Sequence, residues 1–163
     1  RRDHASVVDE KLDGGAVPCS LCSRLRRGAL YDIAVGLRCD ALVLGHHLDD
    51  LIETLLLNLF YSGQLRSMPP RLQSEDGLNT VIRPLCYIPE AWLARYAAQR
   101  GFPAVSCQEA TCGRPDVQRR EMKTLVQRLA ERHPGLRFQA LRALANVRPE
   151  YLLDRDLVRR LDR

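Results

Sequence analysis

Two cysteines open the chemistry of this chain: Cys19-Ser20-Leu21-Cys22. The pair brackets a helix start, where N–H groups and the helix dipole lower thiol pKa and favour thiolates. Three chemistries use such a pair. A redox dithiol needs nothing more. A structural zinc site wants four ligands, and Cys107 with Cys112 would complete one. An iron–sulfur cluster normally takes four thiolates; with three, one iron stays open to an exogenous ligand. The plain alternative is two buried cysteines that bind nothing. Six cysteines are present in all. Cys39 and Cys86 stand singly in apolar surroundings, Leu37-Arg38-Cys39 and Pro84-Leu85-Cys86-Tyr87, and read as small buried hydrophobes.

A second constellation is Gly45-His46-His47-Leu48-Asp49-Asp50, where a strand feeds a helix. In open α/β sheets ligands bind just past the carboxyl ends of strands. Gly45 lets a ligand approach the backbone, and His47, Asp49 and Asp50 are suited to ribose hydroxyls, a magnesium ion or a reacting group. The competing reading is that the aspartates cap the helix and the histidines pack. A two-metal hydrolase is disfavoured, because Leu51 to Phe60 offers no further carboxylate–histidine set. Arg24, Arg26, Arg27, Arg66 and Arg71 flank the cysteine pair and a Pro-Pro segment; Arg114, Arg119, Arg120, Lys123 and Arg128 follow Cys112. Together they would make one phosphate-binding face, although any single one reads equally as a solvated helix position.

The elements that must position these residues follow from periodicity. Residues 1–18 are polar, aperiodic and read as a loop. Apolar residues recur at helical spacing from Ser20 to Leu37, with Ser20 or Ser23 as cap. Ala41-Leu42-Val43-Leu44 is wholly apolar and closed by Gly45, the pattern of a central parallel strand buried on both faces. Leu51 to Phe60 is helical, with Asp49 and Asp50 in its first turn. Gly63 to Gly77 reads as a long turn-rich connection, and Thr80-Val81-Ile82-Arg83 as a second strand. Glu90 to Arg100 is a helix between Pro89 and Gly101. Ala104-Val105 reads as an edge strand, Pro115 to Arg132 as a basic amphipathic helix, Leu136 to Val147 as another, and Glu150 to Arg163 as partly helical. The pattern predicts an α/β fold with a parallel sheet and a helical tail. Two strands are few for such a sheet, so the chain is expected to be the later part of a larger domain.

The bulk properties agree with one domain. The chain has 163 residues, 45% of them apolar but only 6% aromatic, so the core is expected to be mostly Leu, Ala and Val. A net charge of +5 suits a polyanionic partner. No apolar run reaches membrane-spanning length and no signal peptide pattern opens the chain, so the default is cytoplasmic, with no membrane partner. Thiols stay reduced there, and the cysteines point to metal or redox chemistry over structural disulfides.

Read together, Pro18-Cys19-Ser20-Leu21-Cys22-Ser23-Arg24-Leu25-Arg26-Arg27-Gly28, Leu44-Gly45-His46-His47-Leu48-Asp49-Asp50, Asn58-Leu59-Phe60-Tyr61, Ser67-Met68-Pro69-Pro70-Arg71-Leu72 and Val81-Ile82-Arg83-Pro84-Leu85 resemble the tRNA 2-thiocytidine synthetases of the PP-loop ATPase superfamily. The resemblance runs from about Pro18 to Pro149. It implies the C-terminal portion of a PP-loop, Rossmann-like parallel sheet followed by a helical region. The expected division is a loop at 1–18, a partial α/β domain at 19–106 and a helical region at 107–163. It also implies an activity: ATP adenylates the C2 oxygen of an anticodon-loop cytidine of tRNA, and sulfur displaces AMP. The implied cofactors are a [4Fe-4S] cluster held by three cysteines, ATP and Mg2+. Carried over residue by residue, Cys19, Cys22 and Cys112 are the cluster ligands, with Cys107 the alternative third. Cys19, Cys22 and Asp50 form the catalytic set, and Gly45, His47, Asp50 and Arg83 hold the nucleotide. Implied partners are tRNA, a sulfur donor such as a cysteine desulfurase system, and a second copy of the chain in a homodimer. The family's Ser-Gly-Gly-x-Asp-Ser loop is not found here, so the chain is expected to be a fragment that is inactive alone. The alternatives are a tRNA 2-thiouridine synthetase and a non-catalytic, zinc-bound RNA-binding module.

Overall fold

Among the described residues, the first helix begins at the cysteine pair. The computed structural model describes residues 19–103, 117–154 and 156–157. Helix α1 (Cys19–Gly36) starts one residue earlier than expected, so Ser20 and Ser23 lie within it and do not cap it. Its end is closed by two backbone bonds, Arg38 N–H to Val35 O at 3.0 Å and Cys39 N–H to Ala34 O at 2.9 Å. This places Arg38 in the left-handed region, φ 53°, a position glycine usually takes.

The sheet is small and mixed. Strand β1 (Leu42–Val43) runs parallel to β3 (Thr80–Ile82), with Leu42 opposite Val81 and Val43 opposite Ile82. Strand β2 (Arg71–Gln73) lies antiparallel on the other side of β3, giving the order β1-β3-β2. Two expectations need correction. The segment at Arg71 is not purely a connection but carries a strand. And β1 is neither central nor buried on both faces: it is an edge among the described residues, and Val43 is exposed. The strand with the fully buried centre is β3, whose Val81 is 0% exposed.

Helix α2 (Leu48–Tyr61) leaves the end of β1 through the Gly45–His47 loop. Helix α3 (Glu90–Arg100) begins after Pro89 and ends at Gly101, which is left-handed at φ 63°, as the Pro and Gly signals predict. Helix α4 (Val117–Arg132) and helix α5 (Leu136–Leu144) then pack on α2. Helix α5 stops three residues short of the expected Val147, a 3-10 turn follows at Pro149–Tyr151, and Asp156 and Leu157 are again helical. The core of this layer is Leu48, Ile52 and Val126, with Leu56, Ala140 and Leu141 against it. Cys86 is buried as expected, whereas Cys39 is exposed, because the turn that closes α1 carries it to the surface. The expected loop at 1–18, the strand at Ala104-Val105, Cys107 and Cys112 lie outside the described residues. No described helix is long and apolar enough to cross a membrane.

Ile52 is 2% exposed at the centre of the helical contact. Truncating it removes buried methyl groups and leaves a void, so Ile52→Ala is expected to lower unfolding free energy by about 2–5 kcal/mol in urea titration. Leu37 is 72% exposed, and Leu37→Ser is expected to change it by under about 0.5 kcal/mol.

Candidate functional site

The loop between β1 and α2 is built on a reciprocal cap. His47 is the N-cap residue of α2 in extended backbone. Its N–H donates to Asp50 Oδ2 at 3.0 Å, and its Nδ1 accepts from the Asp50 N–H at 3.4 Å. His47 Nε2 lies 3.3 Å from the same Asp50 oxygen. The tautomer with hydrogen on Nε2 serves both ring contacts. The carboxylate also sits in the first turn of α2, where the helix dipole favours it. The two readings of the motif are therefore not exclusive: Asp50 caps the helix and, in doing so, fixes His47.

Asp49 does something different. It is 5% exposed. Its Oδ2 accepts from the Glu90 N–H at 2.7 Å, and its Oδ1 takes Arg137 Nε at 2.5 Å. Burial alone would raise its carboxyl; the Glu90 N–H and the Arg137 guanidinium outweigh that and hold it below the usual carboxylate range. Both oxygens are thus engaged, and the expectation that Asp49 serves a ligand gives way to a structural role joining α2, α3 and α5.

Arg83 stands at the end of β3, 6% exposed. Its Nε donates to His46 Nδ1 at 3.3 Å, its Nη1 to Pro69 O at 2.6 Å, and its backbone N–H to Pro70 O at 2.8 Å. It therefore clamps the Pro-Pro segment to the Gly45–His47 loop. Burial holds the His46 imidazole below its ordinary value; Arg83, Arg119 and Arg27 act the same way, and Asp50 opposes them. A neutral His46 accepts from Arg83, as the geometry requires. Arg27, five residues past Cys22 on α1, is one of the cations that act on this imidazole. Ser67 Oγ donates to Leu51 O at 2.6 Å and Asn58 Nδ2 to Arg66 O at 3.2 Å, so the same segment is also laced to α2.

Of the expected site residues, His47 and Asp50 are in contact and Arg83 joins them through His46. Gly45 is exposed, and a Cβ built there meets no atom within 4 Å. Packing among the described residues does not demand glycine at that position. Cys19 and Cys22 fall in the first turn of α1, three residues apart. That spacing fits two ligands of one metal group. Cys112 lies outside the described residues, and no set of three metal-ligating side chains is assembled among the described ones.

Sequence reading missed Glu53 and the pairing of Arg119. Glu53 lies one turn after Asp50 on α2 and is 4% exposed. Arg119 Nη1 on α4 stands 3.6 Å from Asp50 Oδ1 and 3.7 Å from Glu53 Oε2. Burial pushes the Glu53 carboxyl up to about 7 from 4.5; Asp50 and Glu90 push the same way, while Arg119 and Lys123 oppose. Glu53 also lines a cleft of about 460 Å3 with Asp49, Trp92, Lys123, Arg137 and Phe138. Lys123 closes one side by pairing with Glu90 Oε1 at 2.6 Å. A carboxyl at position i+3 of a capping aspartate was the available signal.

Comparison with known proteins places this arrangement. No protein-family profile matches the chain. It is 48% identical over 160 residues to the tRNA-cytidine(32) 2-sulfurtransferase of Geobacter sulfurreducens, covering 98% of this chain and 62% of that protein. The enzyme of the same name from Sorangium cellulosum is 52% identical over 160 residues, covering 98% of this chain and 56% of its own length. Among solved structures, the U34-tRNA thiolase NcsA from Methanococcus maripaludis, determined with its [4Fe-4S] cluster, matches with a TM-score of 0.69 at 25% identity, over 85% of this chain and 46% of that one. The chain thus resembles the tRNA-cytidine 2-sulfurtransferases over nearly its whole length, while spanning 62% and 56% of the length of those two relatives.

Two outcomes follow from the buried carboxylates. Asp49→Ala leaves Arg137 without its partner and the Glu90 N–H without its acceptor, and is expected to cost about 3–5 kcal/mol in urea unfolding. Glu53 has a folded-state pKa above its unfolded one, so the folded chain binds the extra proton between them. Its contribution to stability is present below about 4.5 and is lost as pH rises through about 7. Unfolding free energy measured across that window is expected to fall by up to about 3 kcal/mol. Glu53→Gln is expected to flatten the profile.

Proposed function

We propose that this chain carries the cysteine-pair and nucleotide-loop part of a tRNA-cytidine 2-sulfurtransferase, which converts an anticodon-loop cytidine to 2-thiocytidine at the expense of ATP. The observation that carries this reading is the 48% identity to a named enzyme of that activity across 98% of the chain. The thiouridine alternative draws on the fold shared with a U34-tRNA thiolase, but the 25% identity there is half as great.

In this reading Cys19 and Cys22 are two thiolate ligands of a [4Fe-4S] cluster, and Cys112 is the third. A cluster so held supplies an open iron at which sulfur is carried. The residues of the chain do the rest. The Gly45 backbone gives the nucleotide a close approach. His47, held in place by Asp50, presents its ring at the mouth of the loop. Arg83 keeps the Pro-Pro segment and His46 against that mouth. Mg2+ accompanies the ATP phosphates. The basic residues of α1 and α4 face the tRNA backbone. A cysteine desulfurase system supplies the sulfur, the protein works in the cytoplasm, and a homodimer is the expected assembly. The chain contains no Ser-Gly-Gly-x-Asp-Ser sequence to cradle a pyrophosphate, so by itself it is expected to hold ATP weakly and to be inactive.

The test is metal content. Anaerobic purification or reconstitution is expected to give a brown protein with iron and labile sulfide, and Cys19→Ser or Cys22→Ser to lose most of both. Tetrahedral four-sulfur zinc without iron would refute the proposal and favour the zinc-bound module. Iron retention in Cys112→Ser and Cys107→Ser, measured side by side, identifies the third ligand; loss is expected for Cys112→Ser only.

A further inference from the structure

Arg119 sits where α4 meets the first turns of α2, and one of its nitrogens stands between two carboxylates of that helix. The Nη1 lies 3.6 Å from Asp50 Oδ1 and 3.7 Å from Glu53 Oε2. The other Asp50 oxygen, Oδ2, is the one that accepts from the His47 N–H and lies beside His47 Nε2. Asp50 is thus held from both sides, by the guanidinium at Oδ1 and by His47 at Oδ2. A carboxylate held at one oxygen only can rotate about its Cβ–Cγ bond, a broad and soft torsion, and lose the alignment at the other.

We propose that Arg119 is a positioning residue: by fixing Asp50 it sets the tautomer and orientation of His47, and Glu53 is the second carboxylate that keeps the guanidinium in place. The assignment rests on the reading of the His47 loop as a nucleotide site for its catalytic meaning, but its geometric content stands apart from that reading. The surroundings of Glu53 are of mixed sign: Asp50 from its own helix, Glu90 from α3, and Arg119 with Lys123 from α4. Removing the Arg119 charge takes away the first of the two cations that favour its ionised form.

The experiment uses the full chain with nitrogen-15 histidine and carbon-13 glutamate labels. At mildly alkaline pH, wild-type His47 is expected to be predominantly the tautomer with hydrogen on Nε2. Arg119→Gln, provided it is folded by circular dichroism, is expected to give a mixture of tautomers and to move the Glu53 titration midpoint upward. Arg119→Lys keeps a cation near both carboxylates and is expected to recover most of both signatures, which a merely space-filling role would not. In parallel, AMP is titrated into each variant, and Arg119→Gln is expected to weaken its binding about tenfold, the effect of losing one charge-assisted alignment. Folded Arg119→Gln with an unchanged His47 tautomer and an unchanged Glu53 midpoint overturns the proposal. Should Arg119→Gln not fold, Arg119→Met, which keeps an unbranched stem without the charge, decides: an unchanged His47 tautomer and an unchanged Glu53 midpoint overturn the proposal. If wild type fails to bind AMP while the tautomer responds as expected, the nucleotide reading fails and the positioning role stands.

Discussion

The carboxylate of Asp49 is the fastening on which the helical layer depends. One oxygen takes the first N–H of α3 and the other takes Arg137 from α5, while the residue itself belongs to the first turn of α2. A 5% exposed carboxylate is costly unless each lone-pair direction finds a donor, and here the donors come from two other helices. The geometry therefore ties the helix that leaves the sheet to the two helices that cover it. Helix α2 alternates this ionic contact with an apolar one. Leu48, Ile52 and Leu56 face Val126 and Ala140, while Asp49 and Glu53 occupy the adjoining stripe. Apolar contact supplies most of the burial, and the carboxylates fix which helix sits where.

That arrangement explains why the neighbouring aspartates diverge in role. Asp49 points into the helical layer and is consumed by it. Asp50, one residue on, is rotated by about 100° around the helix and faces the loop. It is less buried, at 21% side-chain exposure, and reaches His47 and Arg119. A pair of adjacent carboxylates at a helix start thus divides into one that holds the scaffold and one that shapes the site. Arg83 performs the matching task from the sheet side, where its guanidinium joins His46 to the carbonyl of Pro69. The loop is held between a cation from β3 and a carboxylate from α2.

What was legible in the sequence followed from local punctuation. Pro89 and Gly101 bound α3 because one cannot continue a helix backwards and the other takes the left-handed turn that ends it. The cysteine pair at a helix start, and the strand–Gly–helix passage at Gly45, were equally local. The rest depended on partners distant in sequence. Arg71-Leu72-Gln73 is exposed throughout and follows two prolines, so nothing local marks it as a strand; it becomes one by pairing with β3. The apolar run at Leu42 suggested a strand covered on both faces, and periodicity alone cannot say whether a second layer is there to cover it. The Arg119 contact bridges α2 and α4 across nearly seventy residues, and no spacing rule reaches that far. Glu53 read as one more charge on a helix until burial set it apart.

The junction that Asp49 makes has an optical consequence. The chain has one tryptophan, Trp92, in the first turn of α3, and its indole lines the same cleft as Asp49, Glu53 and Phe138. Indole emission shifts with access of water and nearby charge. The tryptophan emission of the protein, excited at wavelengths that tyrosine does not absorb, therefore comes from a single reporter placed beside the fastening between α2 and α3. Trp92 keeps part of its surface against that cleft, so a change at the joint is read in its emission without a label.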